Sequence, residues 1–593
     1  MEPTLNLPEK VRQDALAYRG QVDRFLSGEL SPMAFRAYRV PMGVYEQRTP
    51  GAYMVRIRIG AGIASTHQLG RVATLSRMHG NGTVHVTTRQ DVQIHDVEIE
   101  RTPDVLEGLL EVGLSTRGGG GNTVRNVTAC PRAGICPQEQ FSVAPHALAV
   151  AEYLLQFDSS YNLPRKYKIA FSGCSQDCAY ASVTDLGFFA HIRDGVKGFA
   201  VYGGGGLGSN PAVGTRLEEF VREREVFEVA EAVKKLFDAH GDRVNKHKAR
   251  LRYVLARLGR EAFTDLYRQE RARIRQEGLD GRATDIRDAP AIAGCEDTSP
   301  DGAQDSEPAA FDLLPEKKAG YCTVRLTLHL GDISAGDLIK TARVTEDYGL
   351  GLVRTTQQQD LLIPSVLRAR AADVQNELRC LSTSVLGDGL PKVVACAGAS
   401  TCKLGLCLSR GLADAITKEL PHTALDRPSR ATIRISGCPN SCGHHYIGDI
   451  GLQGRAKRIN GRLLPCYDVL AGARIAEGEA SLAERIGTLP AKVIPSFVGQ
   501  FVEKDSLPKE ELLALVEQYA RLFAGEIPED YYFDWGSDTP FSLAGRGPGE
   551  CGAGVMGVIA VDIYEAKEAL HRCSAVQEAA LKSQEVYQAV LAS

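Results

Sequence analysis

The chain has 593 residues and a formal net charge of −4, so it is long enough for three or more domains, each with its own hydrophobic core. The lack of a strong positive charge argues against a dedicated nucleic-acid-binding protein. The first ten residues, MEPTLNLPEK, lack the basic and apolar regions of a signal peptide, and no run of 18 apolar residues occurs, so we expect a soluble, unexported protein.

Fifteen cysteines are present, an odd number, and eight of them fall into two groups of four with metal-ligand spacing. Such cysteine usage is typical of a reducing compartment rather than of a disulfide framework. We therefore expect a bacterial or archaeal cytoplasm.

The N-terminal arm holds a predicted amphipathic helix, Val11 to Phe25, before an irregular segment with Pro41 and Pro50. Alternating apolar residues next predict a strand at 53–59, a helical stretch at 66–78 and a second strand at 84–94.

The same strand–helix–strand pattern returns about 268 residues later, at 323–330, 337–347 and 352–363. Glycine-containing loops that follow the cysteines, at Phe199 and Tyr467, repeat as well. The cysteines themselves repeat at offsets of 266 or 264 residues: Cys130, Cys136, Cys174 and Cys178 recur as Cys396, Cys402, Cys438 and Cys442. The chain is therefore predicted to be an internal duplication with a pseudo-two-fold body.

The second group of cysteines carries the clearest chemical signal. Cys396 and Cys402 are separated by five residues, Cys438 and Cys442 by three, and 35 residues lie between the two pairs. Four thiolates so spaced suit a [4Fe–4S] cluster, which takes one Cys per iron. Tetrahedral zinc and plain buried cysteine remain alternatives, although zinc pairs usually have C-x2-C to C-x4-C spacing.

The chain resembles the sirohaem sulfite and nitrite reductases in one motif, C-x5-C followed by G-C-P-N-x-C-G. The resemblance extends from about Arg36 to Gln500. In that family the last cysteine of the motif both binds the cluster and bridges to the sirohaem iron, and Cys442 holds this position here. The resemblance thus implies sirohaem and one [4Fe–4S] cluster, bound by Cys396, Cys402, Cys438 and Cys442.

With this resemblance we predict an α+β fold: an internally duplicated body with two ferredoxin-like half-domains, two α/β cofactor-binding domains and a short C-terminal helical tail. The composition of the linker, rich in Gly, Asp, Pro, Ser and Ala, sets its limits. The predicted segments are an N-terminal arm (1–50), a first ferredoxin-like half (51–125), a first sirohaem and iron–sulfur type domain (126–276), the linker (277–318), a second ferredoxin-like half (319–390), a second sirohaem and iron–sulfur domain (391–505) and the C-terminal extension (506–593). The tail, including Cys551, gives no chemical prediction.

The family acts on small oxyanions, and the resemblance implies that cations of the first half bind them and supply protons. These cations are Arg89, Arg125, Lys166 and Lys168. The two lysines are two residues apart in a predicted strand, so they should point to one face. Surface solvation is the alternative for any one of these side chains.

The second half lacks these cations, since the matching positions hold Gln357 or Gln358, Pro391 or Lys392, Arg430 and Thr432. We therefore expect the second half to hold cluster and haem and the first half to bind substrate.

The glycine-rich turn at 118–122 allows close backbone approach to a ligand. The resemblance implies that this turn and a later loop line the sirohaem, with Arg117, Asn122, Gly203, Gly204 and Gly205 as candidates. The G-x-G-x-x-G pattern in that later loop is weak evidence for a dinucleotide, because Ser209, Asn210 and Pro211 follow instead of a helix. His444 and His445 are candidates for hydrogen bonds near the haem, with partly exposed polar residues as the alternative.

The complete first group, Cys130, Cys136, Cys174 and Cys178, departs from many single-chain relatives, which keep one cluster. A second cluster, with a second non-catalytic sirohaem as in two-subunit dissimilatory relatives, is one interpretation. A vestigial set of small buried residues is the other.

The resemblance favours six-electron reduction of sulfite to sulfide, because sulfite reductases of the family have Lys-x-Lys at Lys166 and Lys168 whereas ferredoxin nitrite reductases tend to have Lys-x-Asn. Nitrite reduction to ammonia is the first alternative, and a non-catalytic iron–sulfur protein for electron transfer or sensing is the second. Without a flavin or nicotinamide fingerprint, the electrons should come from a separate donor, ferredoxin first and a flavoprotein subunit second.

Overall fold

The computed structural model describes residues 4–279, 285–287, 313–382, 390–420, 429, 431–504, 507–521, 527–547 and 550. In these residues the backbone forms thirteen α-helices and twenty β-strands, the strands being arranged in four five-stranded sheets. The helices are α1 (Glu9–Leu26), α2 (Pro32–Arg39), α3 (Thr66–His79), α4 (Thr102–Leu110), α5 (Ala144–Leu155), α6 (Val226–His240), α7 (Leu251–Leu258), α8 (Arg260–Glu277), α9 (Ala335–Tyr348), α10 (Ala371–Arg379), α11 (Ser409–Glu419), α12 (Ile494–Glu503) and α13 (Lys509–Arg521).

The strands of the first half are β1 (Val44–Glu46), β2 (Ala52–Ile57), β3 (Ile63–Ser65), β4 (Thr83–Val86), β5 (Val92–Glu98), β6 (Thr128–Ala129), β7 (Ile169–Ser172), β8 (Leu186–Arg193), β9 (Val196–Gly203) and β10 (Thr215–Arg222). Those of the second half are β11 (Leu313–Pro315), β12 (Tyr321–Leu326), β13 (Asp332–Ser334), β14 (Leu352–Thr355), β15 (Leu361–Leu367), β16 (Lys392–Ala395), β17 (Thr432–Ser436), β18 (Ile450–Ile459), β19 (Arg462–Ala471) and β20 (Glu484–Pro490).

Two of the sheets form the ferredoxin-like halves, and each takes its last strand from the other half. Their strand orders are β1-β2-β5-β4-β13 and β11-β12-β15-β14-β3. Strand β13 pairs antiparallel with β4, and β3 pairs antiparallel with β14. The exchange closes one exposed edge of each sheet and joins the two halves through one shared hydrophobic core.

Helices α3 and α9 begin directly after the exchanged strands and pack against each other. Ser65, the last residue of β3, accepts a hydrogen bond from the backbone N of Gln68 at 3.2 Å, and the Gln68 side chain accepts one from the Ser65 backbone. Ser334, the last residue of β13, accepts from the backbone N of Asp337. These caps satisfy free N–H groups at the first turn of each helix.

The other two sheets belong to the cofactor-binding domains and share one topology. Their orders are β10-β9-β8-β7-β6 and β16-β17-β18-β19-β20. In each, two of the four strand pairings are parallel and two are antiparallel, so one strand runs opposite to the other four. The predicted α+β fold with a duplicated, pseudo-two-fold body is therefore confirmed.

Two predicted strands, 84–94 and 352–363, are wrong as single strands, because each is interrupted by a tight turn. In the first turn, Thr87 Oγ1 accepts hydrogen bonds from the backbone N of Arg89 and Asp91. In the second, Thr356 Oγ1 accepts from the backbone N of Gln358 and Asp360. A threonine side chain that bonds the backbone two and four residues later competes with strand pairing.

The lysine pair also differs from prediction, because Lys166 and Lys168 lie in the segment that leads into β7 and not within a strand. The Tyr167 between them still makes an isolated parallel bridge with Val124. Most of the predicted linker, and the tail after Glu550 with Cys551, lie outside the described residues. No helix in the described part of the chain is both long enough and apolar enough to cross a membrane.

Candidate active site

The four cysteines of the second half meet at one edge of their sheet. Cys396 follows β16, and Cys438 and Cys442 follow β17. Because β16 and β17 are parallel, their carboxyl ends lie at the same edge. Cys402 lies in the loop after Cys396, and the Cys438 thiol is close enough to the other three thiols for their charges to interact.

The surroundings of these thiols suit iron–sulfur ligands. The backbone N of Gly437 donates to Cys396 Sγ at 3.3 Å, and burial raises the pKa of the Cys438 thiol. In the part of the chain that the structure describes, no three His, Cys, Asp or Glu side chains are placed to bind one metal ion. A [4Fe–4S] cube has a different requirement, since each thiolate binds its own iron.

The 87–91 turn of the first half lies against this cysteine loop. Thr88 Oγ1 donates to the carbonyl oxygen of Cys442 at 2.8 Å. The next residue, Arg89, is anchored by hydrogen bonds from Nη2 to the carbonyl oxygens of Asn126 at 2.6 Å and Ile169 at 3.1 Å. The turn therefore holds an arginine beside the candidate cluster.

A narrow cavity of about 20 Å³ lies at this junction of the two halves. Its polar lining comes from both repeats, with Thr88, Arg89, Lys168 and Tyr180 from the first and Gln357 and His444 from the second. The rings of Tyr180 and His444 meet edge to face at 5.9 Å. These two residues have equivalent positions in the repeat and share a left-handed backbone, with φ of 56° and 63°, so the two halves meet here through equivalent residues.

Cations dominate the electrostatics of the cavity. Burial lowers the pKa of Arg89 to about 9, with a further contribution from Arg125, while Asp91 acts in the opposite direction. Burial also lowers the pKa of Lys168 well below its usual range, and Arg89 and Lys166 lower it further. An anion bound here would reverse these shifts by stabilising the charged forms.

A buried ion pair positions Lys168. Its backbone N donates to Asp185 Oδ2 at 2.9 Å, and Arg250 donates to both oxygens of the same carboxylate. In the second half the backbone N of Thr432 donates to Asp449 at 2.7 Å, so Thr432 takes the place of Lys168 as predicted. Arg430 lies outside the described residues.

The repeat also decides which glutamine replaces Arg89. Gln90 and Gln359 both have positive φ, and their side chains accept from the backbone N of Ala129 and Ala395 at 3.1 and 3.2 Å. Gln358, which precedes Gln359, therefore takes the place of Arg89.

Two of the predicted site residues, both arginines, interact with other protein groups and do not line the cavity. Arg125 is buried and donates to the carbonyl oxygens of Gly119 and Gly121, which fixes the glycine-rich turn. Arg117 pairs with Asp14 at 2.8 Å and stacks on Tyr161.

The glycines of the later loop are required by packing. A Cβ on Gly203 would meet Leu217, one on Gly204 would meet Leu255, and one on Gly205 would meet the carbonyl oxygen of Thr184 at 2.6 Å. Asn122 keeps a buried side-chain oxygen without a hydrogen-bond partner among the described residues.

Four further residues near the site, Tyr180, Arg434, Arg250 and Arg252, were not predicted from the sequence. Arg434 Nη2 donates to Tyr180 Oη at 2.5 Å across the two halves. Tyr180 could have been found as the repeat equivalent of His444, which was a candidate. Arg434 has Ala170 as its repeat equivalent, so the duplication gave no signal for it.

Several buried guanidinium nitrogens, of one arginine that lines the cavity and of two that interact with its neighbouring residues, have no hydrogen-bond partner among the described residues. They are Arg89 Nε, and Nε and Nη1 of both Arg252 and Arg434. Leaving a buried charged donor unpaired is costly. A macrocycle with peripheral carboxylates would satisfy such donors, so this set fits sirohaem.

Comparison with known proteins identifies the chain. The family model described as the nitrite and sulphite reductase 4Fe-4S domain matches residues 120–275 and 386–528. The model for the nitrite/sulfite reductase ferredoxin-like half domain matches residues 45–112 and 315–380. The chain belongs to this family. It is a sirohaem-dependent oxidoreductase with a [4Fe–4S] cluster.

Two relatives cover most of their own length. The ferredoxin–nitrite reductase of Synechococcus elongatus is 30% identical over 494 residues, which span 81% of this chain and 92% of the relative. The assimilatory ferredoxin-dependent nitrite reductase of Haloferax mediterranei is 31% identical, over 78% of this chain and 81% of the relative. The solved structure of the NirA protein of Mycobacterium tuberculosis covers 87% of this chain and 96% of its own with a TM-score of 0.70, and at 24% identity it shows the shared fold.

Proposed function

We propose that this reductase catalyses the six-electron reduction of nitrite to ammonia, with ferredoxin as the electron donor. The observation that carries the proposal is the match, over most of both chains, to two relatives named as ferredoxin-dependent nitrite reductases. The sequence motifs favour sulfite as the first choice of substrate and nitrite as the alternative. The relatives support the nitrite alternative better.

The cavity supports an oxyanion as the substrate. Arg89 and Lys168 line it together, and Arg89 is close enough to contribute to the lowered pKa of Lys168. A unit-charge pair at 4 Å contributes about 4 kcal/mol at an effective dielectric constant near 20. Two such cations can therefore offset much of the cost of desolvating a small anion.

Sulfite remains the second candidate because of Lys168. A second lysine beside Lys166 supplies an additional ammonium group, which favours a dianion over a monoanion by the larger Coulomb interaction.

Each side chain of the cavity has a distinct proposed role. Arg89, anchored through Nη2, would bind an oxygen of the anion. Lys168 would donate protons with Lys166, since a lysine with a lowered pKa is a better acid near neutral pH. Asp185 and Arg250 would hold Lys168 in position. Arg125, which bonds the glycine-rich turn, would contribute at longer range.

Sirohaem and the cluster would carry the electrons from the donor to the anion when bound. Cys396, Cys402, Cys438 and Cys442 would hold the cluster, with Cys442 as the bridging ligand. Arg252 and Arg434 would pair with sirohaem carboxylates, and Arg117, Asn122 and the loop from Gly203 to Gly205 remain predictions for the same cofactor. A cytoplasmic location is part of the proposal, as the cysteine usage predicts.

The test is to purify the enzyme anaerobically and to measure kcat/KM for nitrite and for sulfite with one donor, reduced ferredoxin. We expect a higher kcat/KM for nitrite and about six electrons consumed per ammonium ion formed, as the reaction requires. A higher kcat/KM for sulfite, with sulfide as product, would overturn the nitrite assignment. Turnover of neither anion by protein that contains sirohaem would favour a non-catalytic role.

A further inference from the structure

The first-half cysteines are brought together in one region, as those of the second half are. The Cys130 and Cys178 thiols are close enough for their charges to interact. The Cys174 thiol is close enough to those of Cys178 and Cys136 for their charges to interact. Cys130, Cys136 and Cys174 are each less than a tenth exposed. The four thiols thus form one compact, mostly buried group.

The backbone that carries this group follows the same course as in the second half. Cys130 follows β6, and its backbone N donates to the carbonyl oxygen of Phe171 at 3.0 Å. Cys396 follows β16 and donates in the same way to Ile435 at 3.1 Å. The turns that carry the last cysteines also match, because Asp177 and Ser441 both have a φ of 54°. The first group therefore has the same scaffold as the expected cluster site.

A buried arginine lies beside the first group. Arg354, on β14 of the second half, is 8% exposed and donates from Nη2 to the carbonyl oxygen of Ala133, between Cys130 and Cys136. Its Nε and Nη1 have no hydrogen-bond partner among the described residues. The charges that favour the protonated guanidinium are those of the Cys130 thiol and of two glutamates, Glu139 and Glu316.

Both glutamates are already bound elsewhere. Glu139 pairs with Lys317 at 2.8 Å and accepts from the backbone N of Gly134. Glu316 accepts from Thr323 at 2.6 Å and from the backbone N of Ser365 at 2.7 Å. Burying a guanidinium with two unpaired nitrogens is costly, and a nearby anion reduces that cost. Four thiolates around an iron–sulfur cube would supply such an anion.

We propose that Cys130, Cys136, Cys174 and Cys178 hold a second [4Fe–4S] cluster, with Arg354 as its neighbouring cation. The site uses one cysteine for each iron, as a cube requires. The inference is independent of the choice between nitrite and sulfite, since it concerns only what the first half binds.

The test is the metal content of the full-length protein, purified anaerobically and reconstituted with iron and sulfide. We expect about eight non-haem irons and about eight acid-labile sulfides per chain, twice the content of a single cube. The double variant Cys174→Ser/Cys178→Ser should retain about four of each, with unchanged sirohaem content. The matched control is Cys322→Ser/Cys380→Ser, which removes two cysteines outside both groups and should retain the full content.

Four irons in the wild type after reconstitution would overturn the proposal, and so would zinc bound in place of iron. A disulfide between two of these cysteines in the anaerobic protein would also overturn it. If the double variant does not fold, Arg354→Gln provides a second test. Loss of the cation should make the reduction potential of one of two clusters more negative, measured by EPR-monitored titration. The signal of a single cluster, or two clusters with unchanged potentials, would contradict the proposal.

Discussion

Thr88 Oγ1 donates a hydrogen bond of 2.8 Å to the carbonyl oxygen of Cys442. The bond joins the two halves of the duplication, because Thr88 lies in the first-half turn that carries Arg89, and Cys442 is the last cysteine of the second half. The candidate anion-binding side chain and the candidate cluster ligand are therefore held in a fixed relation by one direct contact.

Replacement of Thr88 should loosen the positioning of the Arg89 turn against the Cys442 loop. Thr88→Val removes the donor and leaves the Cys442 carbonyl without it, at a cost of about 1 kcal/mol. We expect kcat for nitrite to fall about fivefold with a smaller change in KM, because the loss displaces the reacting groups more than it weakens binding. Thr88→Ser keeps the hydroxyl and should restore kcat. Equal kcat in both variants, at equal iron and sirohaem content, would show that the contact does not position the site.

Cys442 is predicted to be the ligand shared by cluster and sirohaem. Cys442→Ser should abolish anion reduction and alter the visible absorption of both cofactors, because a serine hydroxyl is a poor ligand where a thiolate is required. The matched change Cys407→Ser alters a buried cysteine outside both groups and should leave both spectra intact. Full activity of the Cys442 variant would remove the bridging assignment.

The duplication could be predicted from the sequence because short-range sequence patterns recur in both halves. Cysteine spacing and alternating apolar residues are short-range signals, and they located the repeated sheets and Thr432 as the counterpart of Lys168. The exchanged strands β3 and β13 could not be predicted, since each has three residues and is stabilised by pairing with the other half.

Among the candidate site residues, too, local motifs could be predicted from the sequence and long-range contacts could not. Arg89 and Lys168 lie in motifs and were predicted, whereas the bond from Arg434 to Tyr180 joins residues 254 positions apart. Arg125 was assigned to substrate, but its guanidinium bonds backbone carbonyls of a turn only a few residues away. A sequence motif identifies a candidate cation, but it does not show which of several nearby acceptors that side chain contacts.

His445 should make the protein sensitive to acid. Burial lowers its pKa to about 3 from the usual 6.5, with Gln453 acting in the opposite direction. A base whose pKa is lower in the folded state contributes stability that is complete above pH 6.5 and is lost as the pH falls towards 3. The free energy of unfolding should therefore fall by up to about 1.4 kcal/mol per pH unit in this range through this one group.

His445→Phe should reduce that pH dependence, measured as urea unfolding at about pH 7.5, where the contribution of His445 is complete, and at about pH 6.5, 5.5 and 4.5, where it is progressively lost. His247→Phe is the matched control, because His247 is exposed, and it should leave the dependence unchanged. An identical slope in the His445 variant and the wild type would show that this imidazole does not control acid stability.

Lys168 provides the sharpest test of which anion the cavity selects. Sulfite is largely a dianion near neutral pH and nitrite is a monoanion, so the ammonium group of Lys168 stabilises sulfite by the larger Coulomb interaction. Lys168→Asn should therefore lower kcat/KM for sulfite more than for nitrite, by about tenfold for each ~1.4 kcal/mol of differential stabilisation lost. Burial lowers the pKa of Lys168, and a bound anion raises it again by stabilising the protonated ammonium form. A dianion does so more strongly than a monoanion, which increases the expected difference between sulfite and nitrite.

The measurement is kcat/KM for both anions in the wild type and in Lys168→Asn, with the same artificial donor throughout. Lys246→Asn removes the same charge from an exposed position and should change neither value. Equal losses for the two anions in Lys168→Asn would mean that Lys168 contributes general positive charge or structure. A loss confined to sulfite would make Lys168 a specificity residue, and the nitrite activity that remains would then depend on Arg89.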